Sequence, residues 1–303
     1  MLAYLISIIY MMFSGENVFT MGHRKNNAIL LNDSKRKTVG KTILFTNARD
    51  EKNIREWVAH HLLLGFNLIY VFDHKSKIPL SQELNIFKKG VIVERCEMDG
   101  PIKMPLMMKA SKIARDAGAD WMLYLDADEF LILNAFQNIK EMLKYYLFAD
   151  SIAINWLMFG TNHHKKEPTN GLIVENYTRS DLMLNKHVKT FVRPSQVINA
   201  ITPHYFVISE PGRMLSINMK PMQSSKSFNE WNISHNKCAA FIAHYVYQSE
   251  ESYINRKINL PRDDNSLFRQ MEENIHSKHN EVENVSVKNK YAERINSLLK
   301  SLF

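Results

Sequence analysis

From Thr42 onward the chain alternates two apolar patterns. Short apolar runs stop abruptly at polar residues, and between them apolar positions recur every three or four residues. TILFTN, NLIYVF, VIVER and WMLYL read as strands. After the first, Ile54, Trp57, Val58, His61 and Leu62 fall on one face of a helix, and Gly65 is placed to end it. ELNIFKK, closed by Gly90, and MMKASKIARDAG read as two further helices. Strand–helix alternation predicts a mostly parallel sheet with helices on both faces and right-handed crossovers.

Past Leu133 the rhythm breaks. NIKEMLKYYLF reads as a helix and SIAINWLMFG as a strand; mixed strands and polar loops follow, with closing helices near 250–260 and 288–301. The expected layout is a hydrophobic extension and linker over 1–40, an α/β domain over 41–265, and a helical tail over 266–303. Within the domain, 41–133 reads as a nucleotide-binding half and 134–265 as a more variable one.

Composition narrows the setting. With 303 residues, 45% of them hydrophobic, the chain can bury a large core. Two cysteines, Cys96 and Cys238, exclude a disulfide framework or a cysteine zinc site and suit a reducing compartment, so a cytoplasmic location is expected. The apolar opening LAYLISIIYMMF falls short of the roughly 20 residues of a spanning helix and has no basic flank before it. It reads as an extension lying on the fold or making peripheral contact with a membrane. A net charge of +8 favours an anionic partner. Apart from Lys35, Arg36, Lys37 and Lys41 the basic residues are scattered and carry no nucleic-acid motif, which leaves an anionic membrane surface or a phosphorylated substrate.

Ligands of open parallel sheets bind beyond the carboxyl ends of the strands. Three strand ends deliver polar groups there: Asn47, Arg49, Asp50 and Glu51; then Asp73, His74 and Ser76; then Asp126, Asp128 and Glu129. In an extended step, residues i and i+2 face the same side, so Asp126 and Asp128 would share one ligand with Ala127 turned away. Two carboxylates held that close repel. A divalent cation removes the conflict, and oxygen ligands suit Mg2+ or Mn2+ with a substrate diphosphate completing the shell.

Two other carboxylate chemistries fit less well. A P-loop ATPase needs GxxxxGK[ST] opening a helix; here Lys35 stands at the first glycine position and Gly40-Lys41-Thr42 precedes a strand. An aspartyl-phosphate phosphatase would place its nucleophilic Asp after the first strand, whereas this motif follows the fourth.

Taken together, the motifs resemble GT-A-fold glycosyltransferases, in the family-2-like group that shades into glycosyltransferase family 92. Arg49-Asp50-Glu51, then Glu56-Trp57, His61 and Gly65, follow the group's first helix. Asp73-His74-Lys75-Ser76 matches its second strand end, and DADEF its Asp-x-Asp-Glu-Phe. NWLMFGTNHH, Lys189 to Pro194, His204 and HYVYQSEESYINRK continue the order, over roughly residues 42 to 260. Asp50, His74, Lys77 and Gln248 depart from the usual residues.

The resemblance implies a GT-A (Rossmann-like) sheet with a mixed, acceptor-side second half, and a metal-dependent enzyme. It would move a sugar from a UDP- or GDP-linked donor to a glycan or glycoconjugate acceptor, with inversion. By the same resemblance, Asn47, Arg49, Glu51, Asp73 and Asp126 would hold the nucleotide sugar, and Asp126, Asp128 and His244 the metal. A base must deprotonate the acceptor hydroxyl; His164, Asp181 and Glu175 are candidates, and Trp156 and Phe159 could stack on an acceptor sugar. A nucleotidyltransferase would open with a glycine-rich loop after its first strand, and NARDEKN has no glycine. A non-catalytic scaffold remains the third reading; it predicts no metal-dependent nucleotide binding.

Overall fold

In the computed structural model, residues 38–222 and 233–302 are described. The apolar opening segment and Lys35–Lys37 lie outside them. Among the described residues, nine strands form one sheet in the order β3-β2-β1-β4-β8-β6-β12-β5, with β11 beside β6. β1 (Thr42–Ala48), β2 (Leu68–His74), β3 (Val91–Cys96) and β4 (Trp121–Tyr124) run parallel, as the alternating pattern requires. The second half makes the sheet mixed. β8 (Val188–Val192) is antiparallel to both β4 and β6 (Ser151–Met158). β12 (Ala240–His244) and β11 (Met214–Ser216) run parallel to β6, and β5 (Glu129–Leu133) closes the edge antiparallel to β12. β9 (Val197–Thr202) with β10 (Tyr205–Ile208), and β7 (Arg179–Ser180) with β13 (Val282–Glu283), form two small antiparallel pairs.

The period-2 alternation of each strand sorts its side chains between two cores. Leu44, Trp121 and Leu123 face one layer, with α1 (Ile54–Leu63), α4 (Ile139–Lys144) and α7 (Ser286–Ser301) packed on it. Ile43, Phe45, Met122 and Tyr124 face the other, covered by α3 (Lys103–Asp116) and by β9 and β10. One expected helix is misplaced. ELNIFKK is not helical through to Gly90; the helix there is α2 (Leu80–Leu84), which starts directly after Pro79. Proline's fixed φ suits a helix entry and the apolar residues that follow lie in a turn.

The edge strand β5 shows why the chain carries a Trp-x-x-His-His run. Its outward-facing backbone groups have no neighbouring strand, and side chains supply the missing partners. Trp57 Nε1 donates to Glu129 O at 2.7 Å, and His60 Nε2 to Leu131 O at 2.8 Å. Leu131 N donates to His61 Nε2 at 3.3 Å, so the His61 proton sits on Nδ1 and goes to Trp57 O at 2.8 Å. Further along, Leu133 N donates to Tyr291 Oη at 3.2 Å and Lys290 donates to Leu133 O. His61 is thus a satisfied core histidine. The clamp fixes the strand that emerges directly from the Asp-Ala-Asp turn.

Candidate functional site

The carboxyl ends of β1, β2 and β4 meet on one side of the sheet. Between the first two, Asp50 N donates to Ser76 Oγ at 2.9 Å and Lys77 N to Asp50 Oδ1 at 2.7 Å. Asp50 and Lys75 both take positive φ, 50° and 56°, in the tight turns after the two strands; aspartate tolerates this conformation, while a lysine there is uncommon. Between β1 and β4, Tyr124 Oη and Lys103 Nζ both donate to Asn47 Oδ1, at 3.0 and 2.8 Å.

The step from Asp126 to Asp128 is a turn, not the extended dipeptide expected: Glu129 N closes it on Asp126 O at 3.0 Å. The two carboxylates therefore enter different surroundings. Asp126 pairs with two buried lysines, Lys103 on Oδ1 and Lys189 on Oδ2 at 3.0 Å. Burial would raise its pKa, but the lysines outweigh that and hold it well below the usual range. Glu129 accepts from Asp126 N at 2.9 Å and is fully buried; desolvation and the Asp126 charge push its carboxyl well up. Asp128 faces the other way. Its Oδ2 takes Lys257 at 2.6 Å and Arg256 Nη1 at 3.1 Å, while His244 Nε2 lies 3.6 Å from Oδ1.

That arrangement bears on a cation. Asp128 Oδ1 and His244 Nδ1 are buried without hydrogen-bond partners, and burial draws the His244 imidazole down to about 3, so it is neutral at pH 7. An unpartnered carboxylate oxygen beside a neutral imidazole fits part of a divalent-cation shell. Asp126 does not complete it, because both its oxygens are engaged by lysines. Among the described residues no group of three or more His, Cys, Asp and Glu is placed to hold a metal. Of the expected ligands, Asp128 Oδ1 and the His244 ring are thus the groups a cation could take.

The remaining expected residues divide. Glu51 is buried, with Arg256 3.8 Å from Oε2 and Oε1 unpartnered; burial raises its carboxyl pKa. Arg49 is half-buried with Nε unpartnered. Asp73 caps its own loop instead of facing the cleft. It accepts Ser76 N on Oδ1 at 3.2 Å, and Leu80 N and Arg95 on Oδ2 at 3.0 and 3.1 Å. Trp156 lines the cleft beside Asp126, its ring 5.1 Å from His187 and His204 and 4.4 Å from His244. Phe159 is fully buried against Tyr245, so the expected stacking on an acceptor is corrected: the ring is core.

None of the three base candidates lines the cleft at Asp126. Glu175 caps α5 (Ile173–Asn176) through Leu172 N at 2.8 Å, Asp181 accepts from the His279 ring at 2.9 Å, and His164 packs on Tyr177. After Gly160 the chain turns onto the 276–281 segment, which removes these residues from the strand ends. The cleft also gathers Lys189 and Lys257, which stand at the ends of two of the quoted motifs without having been assigned a role, and Lys103, Arg262, Asp263 and Arg269, which no motif includes. For Lys103, Arg262 and Arg269 the +8 charge was the one signal.

The sequence profile of glycosyltransferase family 92 matches residues 114–285, more than half of the chain. A glycosyltransferase family 92 protein of Oryza sativa subsp. japonica is 23% identical over 214 residues, covering 67% of this chain and 36% of the relative. The chain therefore spans little more than a third of that relative's length. Among solved structures it is similar to S. aureus TarS 1-349 in complex with UDP-GlcNAc. Identity there is 12% over 72% of this chain and 64% of that one, with a TM-score of 0.38. GalNAc-T7 with UDP, GalNAc and Mn2+ gives 12% over 70% and 45%, with a TM-score of 0.39. Scores this low leave the fold to the sheet order and the profile.

Proposed function

The chain belongs to glycosyltransferase family 92, and from that premise we propose that it transfers a sugar from a nucleotide-diphosphate sugar to a glycan or glycoconjugate acceptor, using a divalent cation. The observation that carries this reading is the meeting of the β1 and β4 ends at Asp126, with two buried lysines, Lys103 and Lys189, in the same cleft.

Asp128 and His244 would hold the cation, Mn2+ or Mg2+, which supplies Lewis-acid stabilisation to the departing diphosphate. The chain's own residues do the remaining work. Lys103 and Lys189 place positive charge where the leaving group gains negative charge, inside a site partly closed to water. Asn47 stands at the end of β1 beside Lys103, on the side of the diphosphate, and Glu51 just beyond it, where base and ribose would lie. Trp156, lining the cleft with Asp126, offers its indole to a sugar ring. An inverting displacement needs a base on the acceptor side, and the cleft-lining His204 is better placed than His164, Asp181 or Glu175. Burial and Lys189 lower its imidazole to about 4, so it is unprotonated at neutral pH.

The test is a thermal-shift screen of UDP, GDP and their sugars with and without Mn2+. Stabilisation by one nucleotide only with metal, lost in Asp128→Ala, is the expected result. Absence of any shift would favour a non-catalytic scaffold.

A further inference from the structure

The cleft at Asp126 holds about 100 Å3, whereas pockets for small ligands run to about 300–1,000 Å3. What fills the difference is the chain itself. After α6 (Glu250–Tyr253) and a π-helical turn, Ile254–Ile258, the backbone crosses the site as a strap ending near Ser266. It makes two contacts of opposite sign. Lys257 and Arg256 press cations onto Asp128, at 2.6 and 3.1 Å. Asp263 presses a carboxylate onto the other wall: Oδ2 accepts from Asn47 Nδ2 at 2.8 Å and lies 3.3 Å from Lys103 Nζ. Lys103 N also donates to Asp263 O at 2.8 Å, so the strap is pinned by backbone as well as charge.

Lys103 is unusual in this setting. Its side chain is 1% exposed, yet it carries a full charge shared among Asp126, Asp263 and Asn47. Burial alone would lower its pKa; the two carboxylates outweigh that and raise it well above the ordinary value. A buried ammonium of this kind is costly unless anions surround it. Asp126 belongs to the fixed strand end. Asp263 does not: it sits on a surface loop, 39% exposed, and is the removable one of the pair.

We propose that Lys103 and Asn47 form a phosphate subsite, and that Asp263 occupies it as a built-in stand-in for the phosphate of an incoming diphosphate ligand. Lys257 plays the matching part on Asp128, a cation of the chain neutralising, from Oδ2, the carboxylate that would otherwise face the ligand's own cation. The strap thus mimics a metal–diphosphate ligand and must be displaced by one. This rests on the nucleotide-sugar reading above and adds its regulation: affinity is set by competition with residues 256–263.

Isothermal titration of inorganic pyrophosphate in magnesium buffer, with UDP and GDP in parallel, tests it on the full chain. Asp263→Asn keeps the side chain's shape but removes the competing charge, and pyrophosphate should bind it roughly tenfold tighter than wild type. Asp264→Asn removes the same charge one residue on, from a carboxylate that pairs with Arg262 instead, and should change affinity by less than about twofold. Adding Lys103→Met to Asp263→Asn should abolish the gain; the comparison of the two Asn variants stands without it. Unchanged or weaker pyrophosphate binding by Asp263→Asn would overturn the proposal, as would equal gains from both variants. Tighter pyrophosphate binding without any nucleotide binding would uphold the subsite and remove the donor assigned to it. No binding of either probe by any variant would remove both.

Discussion

His244 Nε2 lies 3.6 Å from Asp128 Oδ1, and that oxygen has no hydrogen-bond partner although it is buried. Asp126, two residues earlier, has both oxygens occupied by lysines that are 1% exposed. The two aspartates of one short motif therefore predict different losses. In Asp126→Asn, Lys103 and Lys189 lose their shared counter-charge and cannot reach water, so the fold should weaken by on the order of 3 kcal/mol. In Asp128→Asn, Lys257 and Arg256 are the more exposed pair, at 21% and 15%, and can turn outward. That variant should keep most of its stability and lose metal-dependent turnover of the donor by about 10²-fold or more. Urea unfolding and donor hydrolysis, with and without EDTA, separate the two; equal stability losses would refute the division.

The edge clamp gives a second prediction. Trp57→Phe keeps an aromatic ring, though a smaller one, and leaves Glu129 O without its donor, next to the Asp-Ala-Asp turn. A buried carbonyl deprived of its partner costs about 1–3 kcal/mol. The urea midpoint should fall by that amount with the unfolding slope unchanged. A loss under about 0.5 kcal/mol would mean the strand edge does not depend on the indole.

The parallel half of the sheet was legible because period 2 and period 3.6 alternate cleanly from Thr42 to Tyr124. The strand ends were legible too, since Asn47, Asp73 and Asp126 directly follow apolar runs. What surrounds them was not. Lys103 reaches Asp126 from the start of α3 and Lys189 from β8, 23 and 63 positions away; no local pattern marks Lys103, and the Lys-x-x-x-Arg segment carries Lys189 without saying what it meets. Arg193, in the same Lys-x-x-x-Arg segment, turns to the core instead, pairing with Asp120 and donating to Ala149 O and Leu147 O. Phe159 illustrates the converse limit. A ring after a strand reads equally as a platform or as core, and only the packing of Tyr245 decides it.

Gly160 supplies a third prediction. A Cβ at this position would stand 2.5 Å from Asn280 Cγ and Oδ1 and from His279 O. Asn280 in turn accepts from Asn162 N at 3.0 Å, and its backbone carbonyl accepts from Arg179 at 2.8 Å. Gly160→Ala cannot be relieved by one flexible side chain, because a backbone oxygen is among the contacts. It should cost about 1–3 kcal/mol and speed proteolysis within 274–281. A variant as stable and as resistant as wild type would show that this loop is held elsewhere.

The paired histidines on α1 make the fold sensitive to acid, with a sign that follows from their burial. Burial draws His60 down to about 4 and, with the His60 charge nearby, His61 well below its ordinary value. In the unfolded chain both titrate near 6.5. Their contribution is therefore fully present above about 6.5 and is lost as pH falls toward 4, where the unfolded state binds the extra protons. For His60 alone the loss is about 3 kcal/mol. Glu56 works against it: burial lifts its carboxyl to about 8 in spite of the Ile173 and Val174 amides, so its contribution fades as pH rises from about 4.5 to 8. The absolute slope thus mixes the two, and the difference between wild type and His60→Gln isolates the histidine. Glutamine can still donate to Leu131 O but does not titrate. Wild type should lose stability relative to His60→Gln between pH 6.5 and 4.5, and stability curves that stay parallel across that window would mean the His60 imidazole is as free to take a proton in the fold as outside it.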